Sequence, residues 1–252
     1  RGVNMKRLLF CAIILGCQSF LTHAAEIAVL SAGAVEPGMH AFAHQVKQAL
    51  GHDLKIRFST APQIAKRLAD NETYDILVSP PAVVDQGLRD GKLLPEGRTA
   101  IGRVGVGIIV RAGQPAPVIE SPEAFKQALL DADAVVYNTA STGLYLDKLF
   151  ANLGILDALK PKTTRYPDGA SVMEHIIRST GKEIGFGAIT EIRLFTDKGL
   201  TFVAPLPSEV QNTTRYDAAL MSGARLPHEA AAVLQLLATP AAKAAFTKAG
   251  IE

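Results

Sequence analysis

Short apolar runs alternate with segments of helical spacing, and this alternation restricts the fold more than any other feature of the chain. In the first third, strands are predicted at 27–31, 54–58 and 75–79, and helices at 39–50, 62–69 and 81–88. Strands that are separated by helices pair in parallel through right-handed crossovers. The order strand, helix, strand, helix, strand therefore predicts an α/β fold with a parallel sheet.

The chain after Gly102 is richer in β-forming residues. Strands are predicted here at 103–111, 134–137, 183–187, 200–204 and 216–221, and helices at 122–130, 141–152, 169–177, 227–237 and 240–249. Ser121 precedes Pro122, which is typical of a helix N-cap followed by proline at the first helical position. The segment 165–171 is interpreted as a polar loop that enters a helix.

These elements divide best into two α/β lobes that are joined by two hinge crossings, near Arg103 and near Arg215. We predict one lobe from residues 25–103 plus 217–252, and the other from residues 104–216. Ligands of such sheets bind beyond the carboxyl ends of the strands. A cleft between the lobes is therefore the expected ligand site.

The first 24 residues have the pattern of a cleaved secretory signal peptide. Met5-Lys6-Arg7 is a basic start, 8–16 is apolar, and Thr22-His23-Ala24 ends in small residues. Residues 1–4 are interpreted as upstream sequence. A lipoprotein signal that ends at Cys17 is the alternative, disfavoured because Leu15 is bulky where a small residue is usual. We expect a periplasmic protein.

Cleavage after Ala24 changes what the composition implies. Removing Arg1, Lys6 and Arg7 from the 26 basic residues leaves 23 against 24 acidic residues, a net charge of −1. Both cysteines leave with the same segment, which excludes disulfides and cysteine catalysis in the mature chain. The net charge and the absence of a basic run argue against nucleic acid as a partner.

Three predicted strand-to-helix turns carry hydroxyl groups and small residues. Ser31 and Gly33 lie in the first turn, Thr60 in the second, and Ser141, Thr142 and Gly143 in a turn of the second lobe. Free backbone N–H groups and the helix dipole attract anions at such helix starts. Helix capping alone explains the same residue types. Three such turns facing one cleft favour a small anion as the ligand.

Two further positions are candidates for the site. Arg103 lies at a predicted crossing, where its guanidinium can bind a carboxylate or phosphate, although a surface salt bridge explains it equally well. Gly169 and Ala170 open a helix whose backbone can form part of an anion site, while Asp168 or Ser171 can simply cap that helix.

The remaining motifs indicate neither a metal nor a cofactor. His40 and His44 have the i, i+4 spacing of a metal pair, but no HExxH motif or third ligand accompanies them, so an exposed helix face is the better interpretation. The glycines at 102–107 lie in a predicted strand and form no dinucleotide fingerprint. The phosphate-loop and GxSxG motifs are absent.

The chain from Ala25 to Glu252 resembles type II periplasmic solute-binding proteins of the molybdate-binding-protein-like group. The resemblance is carried by IAVLSAGAVE (27–36), FSTAPQIAKRL (58–68), YDILVSPP (74–81), STGLYLDKLFANLGI (141–155), IGFGAITEI (184–192) and the ending TPAAKAAFTKAGIE. It implies a two-lobed fold that closes on a small anion and delivers it to the permease of an ABC importer. A monomer suits such hinge motion. A sensor that docks on a membrane receptor is the alternative partner arrangement.

The resemblance also implies an oxyanion site built from serines, backbone N–H groups and one tyrosine. Ala34 takes the place of the first serine, with Ser31 nearby, and Thr60 keeps the second hydroxyl. The family tyrosine falls near Ala188, where no hydroxyl is present, although Thr190 is close. These departures favour an organic anion, with Arg103 supplying charge, over molybdate or tungstate.

Periplasmic aconitate isomerases resemble the same proteins and give an enzymatic alternative. Moving a double bond within a tricarboxylate requires one positioned base and groups that hold the carboxylates. Tyr166, His175 and Glu191 are the candidate acid–base residues. We favour the interpretation that they are structural or bind ligand without chemistry.

Overall fold

The computed structural model describes residues 24–252, so the predicted signal peptide, with residues 1–4 and Cys17, lies outside the described residues apart from Ala24. The strands are β1 (Glu26–Ala32), β2 (Asp53–Ser59), β3 (Ile76–Ser79), β4 (Thr99–Arg111), β5 (Ala134–Asn138), β6 (Thr163–Tyr166), β7 (Glu183–Ala188), β8 (Leu200–Pro205) and β9 (Thr213–Leu220). The helices are α1 (Glu36–Leu50), α2 (Ala61–Ala69), α3 (Pro81–Arg89), α4 (Pro122–Asp131), α5 (Ser141–Asn152), α6 (Leu156–Leu159), α7 (Gly169–Arg178), α8 (Ile189–Arg193), α9 (Pro227–Leu237) and α10 (Pro240–Lys248).

The strands follow the order β2-β1-β3-β9-β4-β7-β5-β6, with β8 paired to β4. β1 is parallel to β2 and β3, which confirms the parallel pairing predicted for the first three strands. β9 is antiparallel to β3 and β4. The long strand β4 pairs with β9 as far as Gly105, and from Val106 it pairs with β7 instead. β4 therefore joins two halves of the sheet.

Each half of the sheet has its own apolar core. In the first half, Val29 and Phe42 are fully buried, and Phe42 lies 6.0 Å from Phe246 between ring centroids. Helices α9 and α10 pack in this half, and the backbones of Arg103 and Glu252 exchange two hydrogen bonds. Residues of β5, α5 and β7 build the largest core cluster of the second half.

Within residues 24–252, no single helix has the length and apolar composition that crossing a membrane requires. α9 and α10 meet that requirement only together, and they are bent by 70° at their junction.

Most predicted strands and helices are confirmed within a few residues, and α5 and α9 match the predicted bounds. α1 begins earlier than predicted, at Glu36, because a 3-10 turn at Gly33–Val35 leads into it and Pro37 occupies its first turn. The prediction of a loop from residue 165 was wrong, since Arg165 and Tyr166 end β6. All four residues of β6 are half-buried, so the strand shows no apolar alternation. α6 and α8 were missed because four or five residues are too few to show a helical period.

Candidate functional site

A cavity of about 250 Å³ opens beyond the carboxyl ends of strands from both halves of the sheet. Ala32 and Ser59 end β1 and β2 on one side, and Asn138 and Ala188 end β5 and β7 on the other. Parallel strands place the loops that follow them at one edge, which is where α/β folds bind ligands. The cavity therefore occupies the position that the sequence predicts for a ligand cleft.

Helices begin at the wall of this cavity. Thr60 directly precedes α2, Ala140 precedes α5 and Asp168 precedes α7, and all three residues line the cavity. The first N–H groups of a helix have no partner inside the helix, and the helix dipole adds positive potential there. Three helices of nine or more residues thus turn their positive ends toward one open cavity.

The start of α5 is held by Asn138. Its Oδ1 accepts hydrogen bonds from the backbone N–H groups of Ala140, at 3.1 Å, and Gly143, at 3.0 Å. The backbone oxygen of Asn138 accepts from the guanidinium of Arg165 at 2.9 and 3.1 Å. A Cβ atom on Gly143 would overlap that same oxygen, so only glycine fits here. Ser141 and Thr142 are therefore held at the cavity wall by a rigid turn.

Replacing Asn138 with alanine should lower the free energy of unfolding by about 2 kcal/mol, because it leaves the buried N–H groups of Ala140 and Gly143 without an acceptor. Urea unfolding followed by circular dichroism measures the change. Asn152→Ala, at the exposed end of the same helix, is the control and should change stability by less than about 0.5 kcal/mol. Equal effects of the two substitutions would show that Asn138 does not hold the turn.

The start of α7 is capped by its own side chain. Asp168 Oδ1 accepts a hydrogen bond from the backbone N–H of Ser171 at 2.8 Å, so the capping role considered for Asp168 is confirmed. Gly169 is buried and Ala170 is exposed, and both line the cavity.

Glu191, in α8, brings an acid to the centre of the site. A Cβ atom on Gly33 would lie 2.8 Å from its Oε1, and a Cβ atom on Gly169 would collide with its Oε2. The carboxyl group therefore packs directly against two glycine backbones that belong to different halves of the sheet. Burial, with smaller contributions from the charges of Glu36 and Asp168, raises the pKa of Glu191 to about 7.

Tyr216, in β9, completes the wall beside Glu191. Its side chain is 5% exposed, and burial together with the charge of Glu191 raises the pKa of its phenol. The hydroxyl therefore stays protonated at neutral pH and can donate a hydrogen bond.

The side chains of the wall are acidic or neutral. Among the described residues that line the cavity, Glu36, Asp168 and Glu191 are the carboxylic acids, and lysine, arginine and histidine do not occur. Any attraction for an anion at this wall must come from backbone N–H groups, hydroxyl and amide groups, and helix dipoles. Between residues 24 and 252, no group of three His, Cys, Asp or Glu side chains is arranged to hold a metal ion.

Six of the nine residues predicted for the site line this cavity, and three do not. The lining residues are Gly33, Thr60, Ser141, Thr142, Gly169 and Ala170. Ser31 is fully buried in β1 and its hydroxyl donates to the backbone oxygen of Ala32. Arg103 is exposed on β4, where its backbone pairs with Glu252, and Gly143 packs under the turn. Arg103 therefore does not supply charge to this cavity.

The acid–base candidates also separate in space. Glu191 lines the cavity, whereas Tyr166 and His175 lie outside its wall and contact each other. Tyr166 Oη is 2.8 Å from His175 Nδ1, and His175 Nε2 is 2.7 Å from a carboxylate oxygen of Glu183. These three side chains join β6, α7 and β7.

Sequence reasoning missed Tyr216 and Glu36 as wall residues. Tyr216 was placed in the last strand, but a strand pattern does not tell which side chain reaches the sheet edge. Thr190, considered as a replacement for the family tyrosine, instead donates its hydroxyl to the backbone oxygen of Ala34 at 2.5 Å. It binds α8 to the turn at Gly33–Val35 and is not free for a ligand.

Comparison with known proteins identifies the family. The sequence profile described as bacterial extracellular solute-binding protein matches residues 27–252. The chain belongs to this family. It is 27% identical over 234 residues to an aconitate isomerase of a Pseudomonas species, which covers 90% of this chain and 87% of that protein.

Solved structures agree on the fold. The periplasmic molybdate-binding protein of Azotobacter vinelandii matches with a TM-score of 0.73 and 16% identity, over 90% of this chain and 98% of that one. PEB3, a Campylobacter jejuni protein, matches in its L-phospholactate-bound form with a TM-score of 0.68 and 13% identity, over 89% and 98%. The predicted two-lobed type II solute-binding fold is thereby confirmed.

Proposed function

We propose that this protein captures a small anion in the cavity and delivers it to the permease of an ABC importer. The observation that carries the proposal is the meeting of α2, α5 and α7, from both halves of the sheet, at one cavity wall that offers backbone and hydroxyl donors. Helix starts bind anions without any basic side chain. Membership of the solute-binding family supports the same function.

In this proposal residues 25–103 plus 217–252 and residues 104–216 move as two lobes of a periplasmic monomer. An anion touches the helix starts of both lobes only when they are closed, so binding shifts the population toward the closed state. The permease then recognises the closed arrangement. The change of partner of β4, from β9 to β7 after Gly105, supports a crossing at this strand.

The ligand we favour is an organic anion that carries at least one carboxylate. One relative is an aconitate isomerase, and a structural neighbour is described with L-phospholactate. The cavity volume of about 250 Å³ is several times the ~30 Å³ that one water occupies in the liquid, which leaves room for a carbon skeleton. Molybdate remains in the test because another neighbour is described as binding it.

A thermal-shift panel of molybdate, tungstate, sulfate, malate, citrate and trans-aconitate tests the proposal. An anion at one hundred times its Kd should stabilise the protein by about 2.7 kcal/mol and raise Tm by roughly 5–10 °C. Small-angle scattering should show compaction with the same anion and none with sodium chloride at equal ionic strength. If no anion raises Tm or compacts the protein, the proposed function is wrong.

A second candidate is an isomerase, and Glu191 is the observation that favours it. A carboxylate whose pKa is about 7 is suited to take a proton from carbon near neutral pH. In an allylic shift Glu191 would remove a proton from one carbon, the double bond would move, and the same proton would return to another carbon. The aconitate isomerase relative, with 27% identity, supports this candidate.

Proton NMR in D2O with cis- or trans-aconitate distinguishes the two candidates. Isomerisation or deuterium incorporation that is lost in Glu191→Gln supports the enzyme. Binding of trans-aconitate without either change supports capture alone. Glu174→Gln, on the exposed face of α7, is the matched control and should behave as the unmodified protein does.

A further inference from the structure

The carboxyl group of Glu191 lies where an anion is expected to bind. It packs against Gly33, which follows β1, and against Gly169, which opens α7, so it sits at the contact between the two halves. Within residues 24–252 its side chain has no hydrogen-bond partner, and burial and the charges of Glu36 and Asp168 raise its pKa. The site thus contains a half-buried carboxyl group that faces whatever enters the cavity.

The nearest titratable groups are acids or a phenol. Glu36 faces Glu191 from α1, Asp168 faces it from the start of α7, and Tyr216 from β9. Glu36 lies 3.3 Å from His40 Nε2, at the solvent side. These groups provide no buried positive charge that would keep Glu191 ionised.

The other side chains of α8 are uncharged, apart from one cation that is directed elsewhere. Ile189 of α8 lies against Gly105 and Gly107 of β4. Ile192 lies against Gly107 and against Gly187 of β7. Arg193, at the end of α8, lies against Gly250 near the chain end, and its side chain does not line the cavity. The acid is therefore surrounded by glycine backbones, apolar atoms and other acids.

An anion at this wall meets Glu191 in one of two forms. An ionised carboxylate repels an anion that lies close to it. A neutral carboxylic acid instead offers an O–H donor at the meeting point of the helix starts. In the second arrangement the carboxylic acid donates a hydrogen bond and the anion accepts it.

We propose that the cavity binds its anion together with one proton, which the Glu191 carboxyl group holds as a donor to the ligand. The inference rests on the proposed anion-binding function and adds the chemical form of what is bound. The bound species is an anion plus a proton taken from solvent.

The pH dependence follows from the sign of the coupling. Burial raises the pKa of Glu191 to about 7 in the free protein, and a bound anion raises it further. Below pH 7 the acid is already protonated and affinity is independent of pH. Above pH 7 each binding event must take up a proton, so affinity falls by up to about tenfold per pH unit.

Isothermal titration calorimetry in two buffers of different ionisation enthalpy measures the proton count directly. The probe is the anion of the thermal-shift panel with the largest effect, and its own ionisation is subtracted. At about pH 8 we expect close to one proton taken up per anion. Glu191→Gln, which keeps a donor but cannot titrate, should take up none and bind with a nearly constant Kd from about pH 6 to about pH 9.

Glu174→Gln is the control, since Glu174 lies on the exposed face of α7, paired with Arg178. It should retain the proton uptake and the pH dependence. Binding without proton uptake, or uptake that persists in Glu191→Gln, overturns the inference and leaves the proposed function intact. Absence of binding by every anion at every pH rejects the proposed function, and the inference with it.

Discussion

Replacing Asp75 with alanine is expected to lower the free energy of unfolding by about 3–5 kcal/mol. The carboxylate is 1% exposed and accepts three backbone hydrogen bonds, from Ala28 at 2.8 Å, Arg225 at 2.8 Å and Leu226 at 3.0 Å. Alanine leaves three donors without a partner in the interior. These bonds join β1, the start of β3 and the entry to α9, so one side chain connects distant parts of the chain.

Urea unfolding at pH 7 measures the loss. Asp53→Ala is the matched control, because the carboxylate of Asp53 is 59% exposed and pairs with Lys47 at the surface. Its removal should change stability by less than about 1 kcal/mol. If the two alanine variants were equally stable, the hydrogen bonds of Asp75 would not be holding the first half together.

Sequence reasoning identified the strands and helices that bury one face or nearly all of their side chains. β1 and β3 are short and largely buried, and α4 and α9 each have proline in the first turn, with Ser121 capping α4. β6 shows the opposite case, because an edge strand with four half-buried residues has no pattern to detect. The order of strands at the junction, with β9 between β3 and β4, depends on long-range pairing that local spacing does not contain.

The site divides in the same way. Helix starts are local features, so Thr60, Ser141 and Gly169 could be found from residue types that cap or open helices. Arg103 was chosen for its position near a crossing, and β4 turns its side chain to solvent. The position of a charged residue near a crossing does not show on which face of the strand its side chain lies.

Glu191 shows what sequence alone lacks. It was a candidate base by residue type, but its environment comes from Gly33 and Gly169, which both lie more than twenty residues earlier in the chain. Gly33 and Gly169 have no side chain, and the carboxyl group of Glu191 fills the space left at these two positions. The raised pKa is a property of that packing and of the nearby acids.

The second large effect is expected at Gly169. Its φ is not positive, so alanine is compatible with the backbone, but the added Cβ collides with Glu191 Oε2. Either the carboxyl group moves into the space of the ligand or the start of α7 retreats from it. Both responses remove favourable contacts to the anion, and losing two hydrogen bonds to a charged group weakens binding on the order of 100-fold.

Titration of Gly169→Ala with the tightest anion of the panel measures this loss, and thermal unfolding confirms that the variant is folded. Gly223→Ala is the matched control, because Gly223 also lacks a positive φ and its added Cβ meets only Thr73, at 3.2 Å. The double variant Gly169→Ala with Glu191→Ala closes a thermodynamic cycle. If the collision is the cause, Gly169→Ala should cost far less affinity in the Glu191→Ala background than alone. An equal cost in both backgrounds would place the effect in the backbone of α7 and not in its contact with Glu191.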